Sequence, residues 1–206
     1  MKVLYYIHDP MCSWCYAFAP AWQALCESLP PAIEIRRLLG GLAADDDLPM
    51  DAALRQHLMD TWRRIEARVP GTRFNFDFWR NNTPRRSTWI ACRAVIAARR
   101  QDVQHDLTMT AAIAHAYYRE ARNPSDEQTL IDLASEIGID NVRFTVDLRS
   151  AGTQAALASE MGRAKSMGAH GFPSLILDLD GTRWPVAVDY RDPRTMLETI
   201  DTLVAG

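Results

Sequence analysis

The 206-residue sequence predicts an α/β fold, a small sheet whose chain is interrupted by a long helical segment. Three observations support this. A short, continuously apolar run opens the chain, a strand–helix–strand pattern follows it, and strand-like alternation returns only near the end, after more than a hundred residues of helical periodicity.

Val3 to Ile7 is aromatic and branched without interruption, the pattern of a strand buried on both faces. Phe18, Ala21, Trp22, Leu25 and Leu29 then recur at helical spacing until Pro30-Pro31, and Ile33 to Leu39 reads as a second strand ended by Gly40-Gly41. The loop between the first strand and the helix therefore lies at the strand's carboxyl end, where open α/β sheets place their chemistry. From Leu48 to Gly168 the pattern is helical. Leu54, Leu58, Thr61, Trp62, Ile65 and Val69 mark one helix, expected to begin near Pro49 behind the acidic loop Asp45 to Asp47. Ser87 is a candidate N-cap for Trp89 to Arg100, and Leu107, Ala111, Ala114 and Tyr118 mark a third helix. Ser125 with Gln128 forms a capping box for a fourth, ended by Gly138. Between Asp140 and Ala151 the residues Val142, Phe144, Val146 and Leu148 alternate as a strand would, leaving helix and strand both open. Leu157, Met161 and Ala164 mark the return helix. Leu175 to Leu179 and Trp184 to Val188 form a hairpin across Asp180-Gly181, with Pro185 demanding an edge position. Asp192 and Pro193 start a final helix with the stripe Met196, Leu197, Ile200 and Leu203.

Hydrophobic residues make up 48% and charged residues 24%, with net charge −3, so neither disorder nor a nucleic-acid-binding surface is expected. The arginine doublets Arg63-Arg64 and Arg99-Arg100 read as solvated faces, because adjacent helical residues point different ways. The longest uncharged stretch, Pro10 to Cys26, holds two prolines, Ser13 and Gln23, and is not a membrane helix. No secretory signal is visible, so the cytosol is the expected compartment. There, four cysteines suggest catalysis, metal binding or simple burial rather than a disulfide framework.

Cys12-Ser13-Trp14-Cys15 is the strongest local signal. At the first turn of a helix two cysteines at this spacing can bridge, and free backbone N–H groups stabilise a thiolate on the first. Cys12 is thus the expected exposed nucleophile and Cys15 the buried resolving thiol. Zinc would need two further ligands, yet Cys26 and Cys92 are isolated and the five histidines lack ligand spacing, so no metal is expected. Cys26 and Cys92 read as small core residues. His8 and His170 read as partly exposed loop histidines within reach of the thiolate. Gly171-Phe172-Pro173-Ser174 precedes a strand in a way compatible with a cis X–Pro bond.

Together these motifs resemble the thioredoxin superfamily, with Pro20 matching its helix-kinking proline and the long helical block resembling the insertion of the DsbA family. Asp9-Pro10-Met11-Cys12-Ser13-Trp14-Cys15, Ala91-Cys92-Arg93-Ala94-Val95 and Gly171-Phe172-Pro173-Ser174-Leu175 are similar to the cytoplasmic FrnE-like branch of protein-disulfide isomerases. The resemblance implies a thioredoxin-like core over residues 1–41 and 169–206, and a helical insertion over 42–168 that includes its return helix. It implies a thiol–disulfide oxidoreductase or isomerase with Cys12 and Cys15 as the redox pair. Substrate would bind at Ser13, Trp14, Phe172 and a cis Pro173. Protein disulfides or glutathione are the implied partners, with no organic cofactor. Ser13-Trp14 lacks both the histidine of DsbA and the Gly-Pro of thioredoxin, so no redox potential is carried over. Kappa-type glutathione transferases and 2-hydroxychromene-2-carboxylate isomerases resemble the same scaffold but usually carry serine where this chain has Cys12. A non-enzymatic protein-binding module is the third reading.

Overall fold

The computed structural model describes residues 1–206. Its sheet has the order β2-β1-β3-β4, with β1 (Lys2–His8) and β2 (Ile33–Leu39) parallel. β3 (Ser174–Leu179) and β4 (Thr182–Val186) continue antiparallel from β1. The apolar run in β1 is explained by its central place. Leu4 and Tyr6 pack on one face with Phe18, Trp22, Leu25, Met196 and Ile200, under α1 (Ser13–Ser28) and α9 (Pro193–Ala205). Val3, Tyr5 and Ile7 pack on the other face with Leu38, Ile176 and Ala164 of α8 (Ala151–Ser166). Pro185 lies on β4, the edge strand, where its missing N–H leaves no ladder bond unmade. Asp180 and Gly181 both take positive φ, 53° and 95°, as a two-residue hairpin turn of this twist requires.

Between β2 and β3 run α2 (Ala52–Arg68), α3 (Phe78–Asn81), α4 (Trp89–Arg99), α5 (His105–Tyr118), α6 (Glu127–Glu136) and α7 (Asn141–Arg149). Their core is the largest in the molecule and is centred on α4, which touches α5, α6, α7 and α8. A helix covered on so many sides has to be apolar nearly all round, which accounts for the buried Ala91, Ala94, Val95, Ala97 and Ala98. The outer edge of β2 is closed by an ionic chain. Arg37 meets Asp106 at 2.7 Å, Asp106 meets Arg99 at 3.2 Å, and Arg99 pairs with Glu160. Glu160 also accepts the Leu39 N–H at 2.8 Å, so a donor of the edge strand is not left open for another chain.

Residues 141–149, left open between helix and strand, are helical, and several expectations elsewhere are corrected. Phe144 and Leu148 are four apart and both buried, whereas Val142 and Val146 are 79% and 67% exposed, so the alternation is accidental. The third helix exists, but Leu107 and Ala111 face outward and Met109, Ile113, Ala116 and Tyr117 form its buried face. Neither serine cap forms. Thr88 precedes α4 without a side-chain cap, Ser87 bonds to Asp45, and Ser125 donates instead to the Ser87 carbonyl at 2.7 Å. α2 begins at Ala52 rather than near Pro49, because Asp51 caps the Leu54 N–H at 2.7 Å while Pro49 bridges to Arg85.

The corrected helix α7 gives a stability test. Phe144→Ala should destabilise the protein by about 3–5 kcal/mol, the usual cost of emptying a buried aromatic site. Val142→Ala should change stability by no more than ~0.5 kcal/mol, as expected for an exposed position. Urea unfolding of both variants checks the assignment, and equal losses would contradict it.

Candidate active site

Cys12 is the N-cap of α1, with extended backbone angles (φ −82°, ψ 116°), so its side chain sits where the helix presents unpaired N–H groups. The turn before it is held from several sides. Cys12 N–H donates to the Asp9 carbonyl at 3.0 Å, and Tyr118 Oη donates to the Met11 carbonyl at 2.6 Å. The Asp9 carboxylate is fully buried. Oδ1 accepts the Met11 N–H at 2.8 Å, and Oδ2 accepts the Leu42 N–H at 2.7 Å and the Thr88 hydroxyl at 2.7 Å. Cys92 Sγ–H donates to the same oxygen at 3.4 Å. One carboxylate thus joins the redox turn to the loop after β2 and to the start of α4. Burial raises its pKa, and those donors oppose the rise.

The Phe172–Pro173 bond is cis, as expected, and the Phe172 carbonyl lies 3.5 Å from Cys12 Sγ. The Phe172 ring lies directly on Gly40, where an added Cβ would fall 2.0 Å from it, so a side chain there would expel the ring. Trp14 is half-buried, edge-on to Tyr190 at 5.2 Å and under the Arg68 guanidinium. Ser13 is half-buried beside it, in the wall of the same cavity as Cys12.

The exposed-nucleophile expectation is corrected, because Cys12 and Cys15 are each only 6% exposed. Their chemistry still differs. A hydrogen bond from the Cys15 side chain, then the N–H groups of Cys15 and Trp14, hold the Cys12 thiol below its ordinary pKa against burial. Burial, and then the hydrogen bond to Cys12, push Cys15 well above. Burial also raises Cys26, to about 11, and Cys92 well beyond its ordinary value, so neither is an activated thiolate.

His8 is not a loop histidine. It is the last residue of β1 and 1% exposed, and Arg37 approaches its Nε2 at 3.0 Å. A guanidinium only donates, so Nε2 is the acceptor. Burial and then the Arg37 and Arg99 charges hold its pKa well below the ordinary value. His170 is exposed, in the wall of a cavity of about 450 Å³ that Phe172 borders and Cys12 does not. Phe172 also borders a second cavity, of about 350 Å³, that Cys12 does line, with Leu42, Trp62, Tyr117, Arg64 and Arg86. Asp9, Thr88, Tyr118 and Arg86 were not read from sequence as parts of the site, and Arg64 was read only as part of a solvated face. Asp9 had a faint signal, standing three residues ahead of Cys12.

The DSBA-like thioredoxin domain model matches residues 4–200. The chain belongs to that family. As a DSBA-like protein it shares 26% identity and a TM-score of 0.86 with a candidate protein disulfide isomerase from Nitrosomonas europaea, covering 99% of this chain and 98% of that one. The cytosolic disulfide reductase DsbM from Pseudomonas aeruginosa is similar at 25% identity and a TM-score of 0.79, covering 98% of each chain. DsbM in a structure with GSH gives a TM-score of 0.77 at 25% identity, covering 99% of this chain and all of that one. The ClpXP adapter protein SpxH of Halalkalibacterium halodurans is 27% identical over 177 residues, which are 84% of this chain; the match spans 57% of that relative's length. This DSBA-like chain is a thiol–disulfide oxidoreductase. No helix in it is long and apolar enough to cross a membrane.

Two outcomes follow from the site. Asp9→Ala strands several buried donors and should cost about 3 kcal/mol or more, at ~1–3 kcal/mol for each buried group left unpaired; urea unfolding at neutral pH measures it. Ultraviolet thiolate absorbance against pH should give Cys12 a midpoint below about 8.5 in Cys15→Ser, where a hydroxyl still donates. Cys15→Ala removes the donor and should move that midpoint upward. Identical midpoints would show that the neighbouring donor is not what lowers it.

Proposed function

We propose that this oxidoreductase works by thiol–disulfide exchange in which Cys12 is the nucleophile and Cys15 the resolving thiol. The observation that carries the proposal is the placement of Cys12 at the N-cap of α1, with Cys15 one turn into the helix and the Phe172 carbonyl 3.5 Å from Cys12 Sγ; the opposite displacement of the two thiol pKa values supports it. The Cys12 thiolate attacks a substrate disulfide RS–SR′, forming Cys12–S–S–R and expelling R′S⁻, which takes up a proton. Cys15 loses its proton and attacks the Cys12 sulfur, closing the intramolecular disulfide and expelling RS⁻. The substrate gains two electrons and the chain loses two, so a dithiol reductant must restore the pair. Run backwards, the same steps oxidise a dithiol. Phe172 and Pro173, with Ser13 and Trp14, would hold the substrate, the Phe172 carbonyl facing the bond being exchanged.

Residues 1–41 and 169–206 would act as the redox core and residues 42–168 as an insertion that walls the site. In support, Trp62, Arg64, Arg86 and Tyr117 all come from the inserted segment. A cytosolic setting, and glutathione beside protein disulfides as partners, are favoured by the likeness to DsbM, described as cytosolic and in a structure with GSH. The intact cysteine pair argues against a kappa-type transferase. The name of the SpxH relative, an adapter, favours a second reading in which the chain binds a protein partner without turnover.

Trapping separates these readings. Cys15→Ser blocks resolution, so mixed disulfides on Cys12 should accumulate in cells, survive acid quenching and vanish on reduction. They should be absent from the Cys12→Ser, Cys15→Ser double variant and unchanged by Cys26→Ala. Mass spectrometry finding only glutathione on Cys12 would assign the site to the small-thiol pool. No adduct, with no dithiol-dependent insulin reduction, would overturn exchange in favour of the adapter reading.

A further inference from the structure

Two of the four arginine doublets in the sequence, Arg63-Arg64 and Arg85-Arg86, have members with different fates in the fold. Arg63 pairs with Asp60 at 2.7 Å, while its neighbour Arg64 turns to the Cys12 cavity and finds only the Thr61 hydroxyl, at 3.1 Å. Arg85 pairs with Asp126 at 2.6 Å, while its neighbour Arg86 lines the same cavity and has no carboxylate partner. His57 lines it too, and no aspartate or glutamate does. In a chain of net charge −3 this is a local concentration of uncompensated positive charge. It adjoins the thiol at the positive end of α1 and is walled by Trp62, Tyr117 and Phe172, with Arg64 exposed and Arg86 half-buried at its mouth. Its volume, about 350 Å³, is that of a small-molecule pocket.

We infer that this cavity is a subsite for anionic, carboxylate-bearing low-molecular-weight disulfides, and that Arg64 and Arg86 are its specificity-determining residues. The inference rests on the reading of Cys12 as nucleophile and adds the charge of the substrate to it. A thiolate attacking a dianionic disulfide works against like-charge repulsion, and two guanidiniums with no carboxylate partner of their own can bind those carboxylates in fork geometry and offset that repulsion. The exchange is the one written above: one S–S bond of the small disulfide is replaced by the Cys12–Cys15 bond, and two small thiols leave.

The test is a charge series of nearly equal size. Dithiodipropionate is dianionic, bis(2-hydroxyethyl) disulfide neutral and cystamine dicationic. Oxidation of the reduced, full-length protein by each is followed by stopped-flow tryptophan fluorescence. The dianion should react fastest and the dication slowest, with the spread shrinking as salt screens the field. Arg86→Gln and Arg64→Gln should each lower the dianion-to-neutral rate ratio about tenfold, as expected for loss of a charge-assisted contact. Arg85→Gln and Arg63→Gln, which remove the paired neighbours, should leave the ratio as it is. A ratio near one in the native protein, or equal sensitivity to all four substitutions, would overturn the inference. Equilibrium binding of dithiodipropionate to Cys12→Ser protein keeps the two levels apart. Binding weakened by Arg86→Gln, without exchange in the native chain, would sink the exchange mechanism and keep the subsite. Binding indifferent to Arg64 and Arg86 would sink the subsite.

Discussion

The buried carboxylate of Asp9 is the constraint on which the site depends. An ionised group without solvent is tolerated only when every lone pair finds a donor, and its donors come from residues 11, 42, 88 and 92. Satisfying one charge therefore fixes three segments at once: the turn that presents Cys12, the glycine-ended exit from β2, and the first turn of α4. Thr88 extends the arrangement, accepting the Ala43 N–H at 3.0 Å while it donates to Asp9. The thiol's position is thus set by electrostatics in the floor beneath it. The contacts that a substrate would use are left free.

The same logic runs along the outer edge of the sheet. Arg37, Asp106, Arg99 and Glu160 alternate in sign and join β2, α5, α4 and α8. The two arginines also add to burial in holding the His8 pKa well below the ordinary value. The hydrogen-bonded carboxylate of Asp9 and this ionic chain leave the apolar cores on both sheet faces to supply bulk burial without also having to specify the loops.

The sequence made some of this legible and hid the rest for physical reasons. β1 was readable because burial on both faces leaves an uninterrupted apolar run, and Cys12 with Cys15 because their relation is local. The Phe172–Pro173 loop was readable by its resemblance to a known pattern. α7 was ambiguous because Phe144 and Leu148, spaced for a helix, are interleaved with Val142 and Val146, which are apolar but exposed. Asp9 was hidden because an acidic residue in a loop looks solvated until donors distant in sequence arrive. His8 was misread by a single residue of strand length. The arginine doublets were opaque because Arg63 and Arg64 differ only in which way the helix turns them, and no property of the residue type reveals that.

Phe172 has a double duty. Its ring occupies the space that Gly40 leaves open, its carbonyl faces Cys12, and it borders the 350 Å³ cavity on one side and the 450 Å³ cavity on the other. The residue is therefore a wall common to both cavities, seated on a glycine. Trimming it would thin the wall that both cavities share.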